Sequence, residues 1–260
     1  MKKRLWSGLR GVFPLLLVLL CAAPYCYVLL RSFWTAEGVT FQYYYDVFLS
    51  SPQYLFRFWK SLLLSCCIAL GQVLVSVLAG YGFAKHRFPG RRVLQFVLLV
   101  MMILPLQVTL VPNYIVLERL NLLNTYYALL LPAIFLPLGA FIMTQGFLAI
   151  PKEILEAAEL DGCGLFTILL RIALPMNKSG LVCTMLLSFL DSWNMVEQPM
   201  TYLKGIEQYP ISVALVSVPP GDAAMQLVCC VLVALPPLLL FACFSGDLVE
   251  GVALAKGEIK

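Results

Sequence analysis

Six runs of about twenty residues, five free of charge and one carrying two acids, constrain this chain more than any other feature. A helix needs about 20 apolar residues to cross a hydrocarbon core of about 30 Å. The runs cover residues 11–30, 61–84, 93–115, 127–150, 179–200 and 223–245, each bounded by charges or turn-forming residues; the charged exception is the fifth, with Asp191 and Glu197. Inside lipid every backbone N–H and C=O must be bonded within the chain, which favours helices as the spanning elements. Composition agrees: 61% of the residues are hydrophobic, 12% are charged and the mean hydropathy is +0.89, against about 45–50% and about 25% in soluble domains. The expectation is an all-α integral membrane protein with one transmembrane domain over residues 1–260. The first run follows Met1-Lys2-Lys3-Arg4, the basic start of a secretory signal, but it is too long and lacks a clean small-residue cleavage pattern. It is read as a retained helix.

The net charge of +4 matters less than where the cations lie, and it predicts no nucleic-acid partner. With both termini inside, the internal segments hold thirteen Lys/Arg and the external ones five, Arg31, Arg57, Lys60, Arg119 and Lys204. Cytoplasmic loops carry the excess of Lys/Arg, so the N and C termini are expected in the cytoplasm. The loop 151–178 then faces inward, and residues 31–60 and 197–222 face outward. The nine cysteines fall almost wholly in the apolar runs without CxxC spacing, and the one histidine, His86, lies in a basic loop. Small apolar packing explains such cysteines better than metal binding or disulfides.

The internal loop 151–178 contains the stretch EAAELDGCG, Glu156 to Gly164. Pro151 suits the first position of a helix that continues to Leu160, and Gly162 can take the left-handed conformation that ends one. A second helix over 165–174 is expected to stop at Pro175. Glu153 and Glu156 lie in early turns, where the helix dipole favours acids. Ala157 and Ala158 leave a face almost without bulk. Three acids turned toward an anionic inner leaflet would be unfavourable, so the segment reads as a docking surface for another protein.

At this point a family resemblance enters. Glu156-Ala157-Ala158, then Asp161-Gly162, then Ile172 and Leu174-Pro175, placed between the fourth and fifth of six helices, resemble the EAA loop of permease subunits in binding-protein-dependent ABC importers. The resemblance implies a type I importer (MetI-like) permease fold in a bacterial plasma membrane. It also implies that this loop inserts into a cleft on cytoplasmic ATP-binding subunits, present in two copies. A second, MalF-like permease and an extracytoplasmic solute-binding protein complete the set of implied partners. Tyr81 to Lys85 with Phe88 to Arg91, Leu104 to Pro112, Leu122 to Thr125, and Trp193-Asn194 with Pro199 look like the MalG-like, carbohydrate-uptake branch. That likeness implies a sugar or a glycerol-phosphate as solute. Cys163 stands where the family usually has alanine or serine, Ser179 replaces a common proline, and the tail 249–257 is shorter than the family's.

The chain has no GxxxxGK[ST] sequence, so the phosphate-cradling loop for ATP must come from a partner. The chain is therefore expected to be no enzyme and to hold no cofactor; ATP and its magnesium belong to the ATPase subunits. The resemblance implies alternating access, in which closure of two ATPases moves the coupling loops and opens the path outward.

Asp191 lies about 18 Å along a helix from Ser179 at 1.5 Å per residue, just past the bilayer middle. A charge there costs about 2.5–3.5 kcal/mol on insertion scales, so it should face a polar cavity or a partner. It is either part of the translocation path or a structural hydrogen-bonding group. Trp193 and Asn194 offer a ring and an amide to a sugar, or else anchor the helix at the interface. Prolines 105, 112, 132, 137, 236 and 237 read as packing kinks more readily than as hinges. An ion-coupled secondary transporter would need more buried ionisable residues or paired broken helices, and an intramembrane enzyme would need a nucleophile with a base. The main alternative is an ABC permease for another solute class.

Overall fold

The computed structural model describes residues 2–35, 38–47, 52–216 and 223–255, nearly all of them helical. Contacts divide the chain into two units, Met1–Phe56 with Leu215–Pro236, and Arg57–Ala214 with Pro237–Lys260.

In the first unit, α1 (Lys2–Ser32) is the amino-terminal helix. Leu16, Leu20 and Leu30 are exposed on it, as a lipid-facing or partner-facing helix requires. The Ser32 hydroxyl donates to the Leu29 carbonyl at 2.7 Å and lies 2.6 Å from the Tyr44 hydroxyl. Phe33 stacks on Tyr44 with ring centroids 4.9 Å apart. A two-residue hairpin, β1 (Trp34–Thr35) and β2 (Gly38–Val39), pairs Trp34 with Val39 antiparallel, and the short α2 (Gln42–Tyr45) follows. Val47, Val228 and Cys229 form a small buried cluster with Tyr43, Tyr44 and Tyr54 against it.

The second unit carries most of α3 (Pro52–Lys85), then α4 (Arg91–Ile103), α5 (Leu106–Arg119), α6 (Tyr127–Ile134) and α7 (Pro137–Ala149). After these come α8 (Lys152–Leu160), α9 (Leu165–Ile168), a π-turn over Leu169–Ala173, and α10 (Leu174–Met176). The remaining helices are α11 (Lys178–Trp193), α12 (Glu197–Tyr202), α13 (Ile211–Val216) and α14 (Ala223–Ala255). Helix α7 packs against α11 and α4. Small residues permit that closeness, as they do where lipid supplies no hydrophobic drive between helices. A Cβ on Gly80 would lie 2.6 Å from Met143 Cβ and 2.9 Å from the Thr144 nitrogen; one on Gly139 would lie 2.9 Å from Thr184 Cγ2 and 3.2 Å from Gln72 Nε2. Gln72, 4% exposed, donates from Nε2 to the Leu136 carbonyl at 3.4 Å, at the break between α6 and α7.

Among the described residues, Tyr54–Lys85, Tyr127–Ala149 and Gln226–Gly251 are long and apolar enough to cross a membrane, and two bent pairs bring the number to as many as five. Leu16–Ser32 in α1 adds a shorter apolar helix, so the set is consistent with six runs. Their limits differ from those expected. The second helix starts at Pro52 and not near residue 61, so Arg57 and Lys60 are helical. The third run is broken at Pro105, where α4 and α5 meet at 108°. Proline lacks an N–H and restricts the residue before it, and Leu104 is extended at ψ 125. The fifth ends at Trp193, with Pro199 in a separate helix. The sixth runs on to Ala255, with an irregular residue at Phe244.

Candidate functional site

The segment 151–178 begins where α7 ends. Ile150 leaves the helix in an extended conformation, and its carbonyl accepts from Lys85 Nζ at 3.0 Å. Pro151 caps α8 from outside, at ψ 138, and is not its first helical residue. Leu155 and Ala158 point inward and join a buried cluster with Tyr81, Phe147, Ile168 and Ala173. Glu153, Glu156, Ala157 and Leu160 lie outward, with Leu160 90% exposed. The two alanines therefore serve opposite faces: Ala158 lets α8 settle on its own bundle, and Ala157 leaves the outer face low.

The end of α8 is a Schellman turn. Gly162 N–H donates to the Glu159 carbonyl and Cys163 N–H to the Ala158 carbonyl, both at 3.0 Å, with Gly162 at φ +80. This is the pairing that satisfies the last carbonyls of a helix. Asp161 is the capping residue and is exposed. Cys163 packs against the same cluster as Ala158, which gives this departure from the usual small residue an apolar contact. Ile172 packs on that cluster too, half-buried, while Pro175 is exposed.

Pro175 does not stop the second helix. It removes one donor and would clash with the carbonyl a turn earlier; the wider π-turn over Leu169–Ala173 precedes it, and the chain stays helical to Met176. Such π-turns are rare and often occur at functional sites. The direction changes at Asn177, where Leu165–Met176 and Lys178–Trp193 meet at 81°.

Beyond that bend, Ser179 donates to Glu250 Oε2 at 2.7 Å, and Lys178 Nζ lies 3.8 Å from Asp247. Gly251 abuts Ser179 and Cys183 so closely that a Cβ there would lie 2.7 Å from the Ser179 carbonyl oxygen. The hydroxyl that replaces a proline thus binds the last turns of α14. The tail expected at 249–257 lies partly outside the described residues.

At the far end of α11 the three path candidates separate. Asp191 and Asn194 are exposed, and Asn194 Nδ2 donates to the Leu190 carbonyl at 2.8 Å. Trp193 is 1% exposed, stacked on Phe189 and edge-on to Phe58, each with centroids 5.7 Å away. Its ring is part of the core and offers no open face. Nearby, Gln107 Nε2 donates to Glu197 Oε1 at 3.0 Å. A cleft of about 440 Å³ is lined by Lys60, Leu64, Asn124, Tyr126, Leu130 and Gln208 and includes none of the three candidates. The sequence marked Lys85 only as the end of a motif and did not show its bond to Ile150, and it did not mark Asn177 at all. A lysine ending an apolar run could have flagged the first; nothing local flags the second.

The family model described as "Binding-protein-dependent transport system inner membrane component" matches residues 72–207. The chain belongs to that family. As an inner-membrane transport component it is a multi-pass permease, and its relatives are transport permeases as well. It is 29% identical over 251 residues, 94% of this chain and 90% of the other, to the arabinooligosaccharides transport system permease protein AraQ of Halalkalibacterium halodurans. It is 26% identical to the polygalacturonan/rhamnogalacturonan transport system permease protein YtcP of Bacillus subtilis, over the full length of both. It is also 27% identical to the sn-glycerol-3-phosphate transport system permease protein UgpE of Brucella melitensis, over 75% of this chain and 71% of the other. A chain of a bacterial ABC transporter that imports the acidic polysaccharide alginate shares the fold, with a TM-score of 0.79 at 20% identity, covering 94% of this chain and 97% of the other.

Proposed function

We propose that this permease is the MalG-like subunit of an ATP-driven importer that carries a carbohydrate, or a glycerol-phosphate, into the cytoplasm. The observation that carries the reading is α8: a short helix closed at its C-terminal end by the Schellman turn at Gly162, anchored by Leu155 and Ala158 and presenting Glu153, Glu156, Ala157 and Leu160 outward. A capped helix seated on the bundle can transmit a push, which a glycine-serine loop would absorb. Glu156, Ala157, Ala158, Asp161, Gly162, Ile172 and Pro175 form or support this coupling surface. Two cytoplasmic ATP-binding subunits dock on it and on its counterpart in a MalF-like permease, and they hold the ATP and magnesium. Both termini face the cytoplasm, and an extracytoplasmic binding protein delivers the solute. The substrate class is drawn from the names of the relatives, which give arabinooligosaccharides, polygalacturonan/rhamnogalacturonan and sn-glycerol-3-phosphate.

Asp191 and Asn194, open on the same side of α11, line the path from the far end, with Trp193 holding that end of the helix in place from behind. The test is gentle purification of the tagged chain from its native membrane, with mass spectrometry of what accompanies it. An ATPase and a second permease are expected; a chain that emerges without an ATPase overturns the reading. Glu156→Lys should lower carbohydrate uptake by about tenfold or more, since misplaced charge at an interface costs several kcal/mol, while leaving the amount of protein in the membrane unchanged. Asp191→Ala should lower uptake with the ATPase still bound, and unchanged uptake removes it from the path.

A further inference from the structure

Asn177 joins three elements at the bend between the coupling segment and α11. Its backbone N–H donates to the Ala173 and Leu174 carbonyls, both at 3.1 Å, and its carbonyl accepts from Leu181 N–H at 3.0 Å. Its side chain is 2% exposed. Nδ2 donates to the Met143 carbonyl of α7 at 3.4 Å and lies 3.8 Å from the Met143 sulfur. Oδ1 is buried without a donor. It sits between Gly146 of α7 and Gly180 of α11, at both of which an added Cβ would collide with the amide; at Gly180 that carbon would also lie 3.0 Å from Cγ.

An amide oxygen left without a donor costs about 1–3 kcal/mol, and an apolar group of the same shape would avoid that cost. The amide is nevertheless retained, in a slot that two helices open for it by having no side chains there. Packing of this kind allows few arrangements, because interiors are close to crystal density and do not deform continuously. A bend of 81° with no such key would flex, and a push on α8 would be spent there.

We propose that Asn177 is the pin of this bend: a positioning residue, keyed into Gly146 and Gly180, that locks the coupling segment to the α7–α11 pair so that a displacement of α8 is carried along α11. The proposal rests on the reading of 151–178 as the ATPase-coupling segment. In the assembled importer, spin labels introduced through non-canonical amino acids at positions 153 and 194 report the distance between α8 and the far end of α11. With a non-hydrolysable ATP analogue the wild-type distance distribution should stay narrow and centred where it is without nucleotide. Asn177→Ala should broaden the distribution and shift it when the analogue is added, with the ATPase subunits still bound. Gly146→Ala, which presses a methyl group against the amide from the other wall, should give the same broadening and shift in a chain that keeps the asparagine. The double variant, with room for that methyl, should reverse part of both. Distances for Asn177→Ala and Gly146→Ala that match wild type in both nucleotide states, in complexes that retain their ATPase, overturn the pin alone. A wild-type preparation that holds no ATPase overturns the coupling reading beneath it.

Discussion

Gly162→Val is expected to abolish most solute uptake while the membrane bundle stays folded, and Gly162→Asn to preserve it. A Cβ at this position meets nothing within 4 Å, and the residue sits at φ +80. The penalty is therefore one of backbone conformation and not of collision. A side-chain-bearing residue in the left-handed region costs about 1–2 kcal/mol, β-branched residues are true outliers there, and asparagine visits the region readily. One or two kcal/mol shifts a local equilibrium about 5- to 30-fold. That shift would open the Schellman turn, release Cys163 from its place beside Ala158 and unmoor the end of α8. Uptake of a radiolabelled carbohydrate panel, normalised to permease in the membrane, separates the two variants. Equal uptake by valine and asparagine would show that the turn does not matter to transport.

Trp193→Ala should cost about 3–5 kcal/mol of stability, the usual range for removing a large buried aromatic. The ring is 1% exposed and braced by Phe189 and Phe58, so its loss leaves a cavity where α11 meets α3. The melting midpoint of the detergent-solubilised protein should fall by several degrees, with the loss seen in solute-free protein. A midpoint unchanged within error would mean that the ring is not a core element. A role confined to sugar binding would alter uptake without altering that midpoint, which separates the two readings for Trp193.

The apolar runs and the helix-and-turn of residues 151–164 could be read from the chain alone because both rest on local rules. Length and hydropathy decide which stretches suit lipid, and Gly162 stands where a helix needs a left-handed residue. The limits of the runs were harder. Arg57 and Lys60 are charged, yet the helix that begins at Pro52 passes through them, since nothing in their backbones ends a helix. Pro105 and Pro175 belong to one residue type but have opposite outcomes: a sharp break at the first, and continuation through a π-turn at the second. What decides between them is whether neighbouring turns can widen, which proline content does not reveal. Residue spacing put Asp191, Trp193 and Asn194 within one turn, but only the positions of Phe58 and Phe189 show which side of that turn is covered. Asn177 was illegible for a related reason: its meaning lies in two glycines, one of them far away in sequence, that leave it room.

The straightness of α11 has a consequence for scale. Between Lys178 and Asp191 the helix spans about 20 Å at 1.5 Å per residue, with no proline along that length. A rotation of about 10° at the near end sweeps the Asp191 carboxylate through an arc of about 3.5 Å, wider than the 2.5–3.2 Å range in which a hydrogen bond forms. A movement at the Lys178 end too small to change which residues touch can therefore decide whether the Asp191 carboxylate keeps or loses a hydrogen-bonding partner.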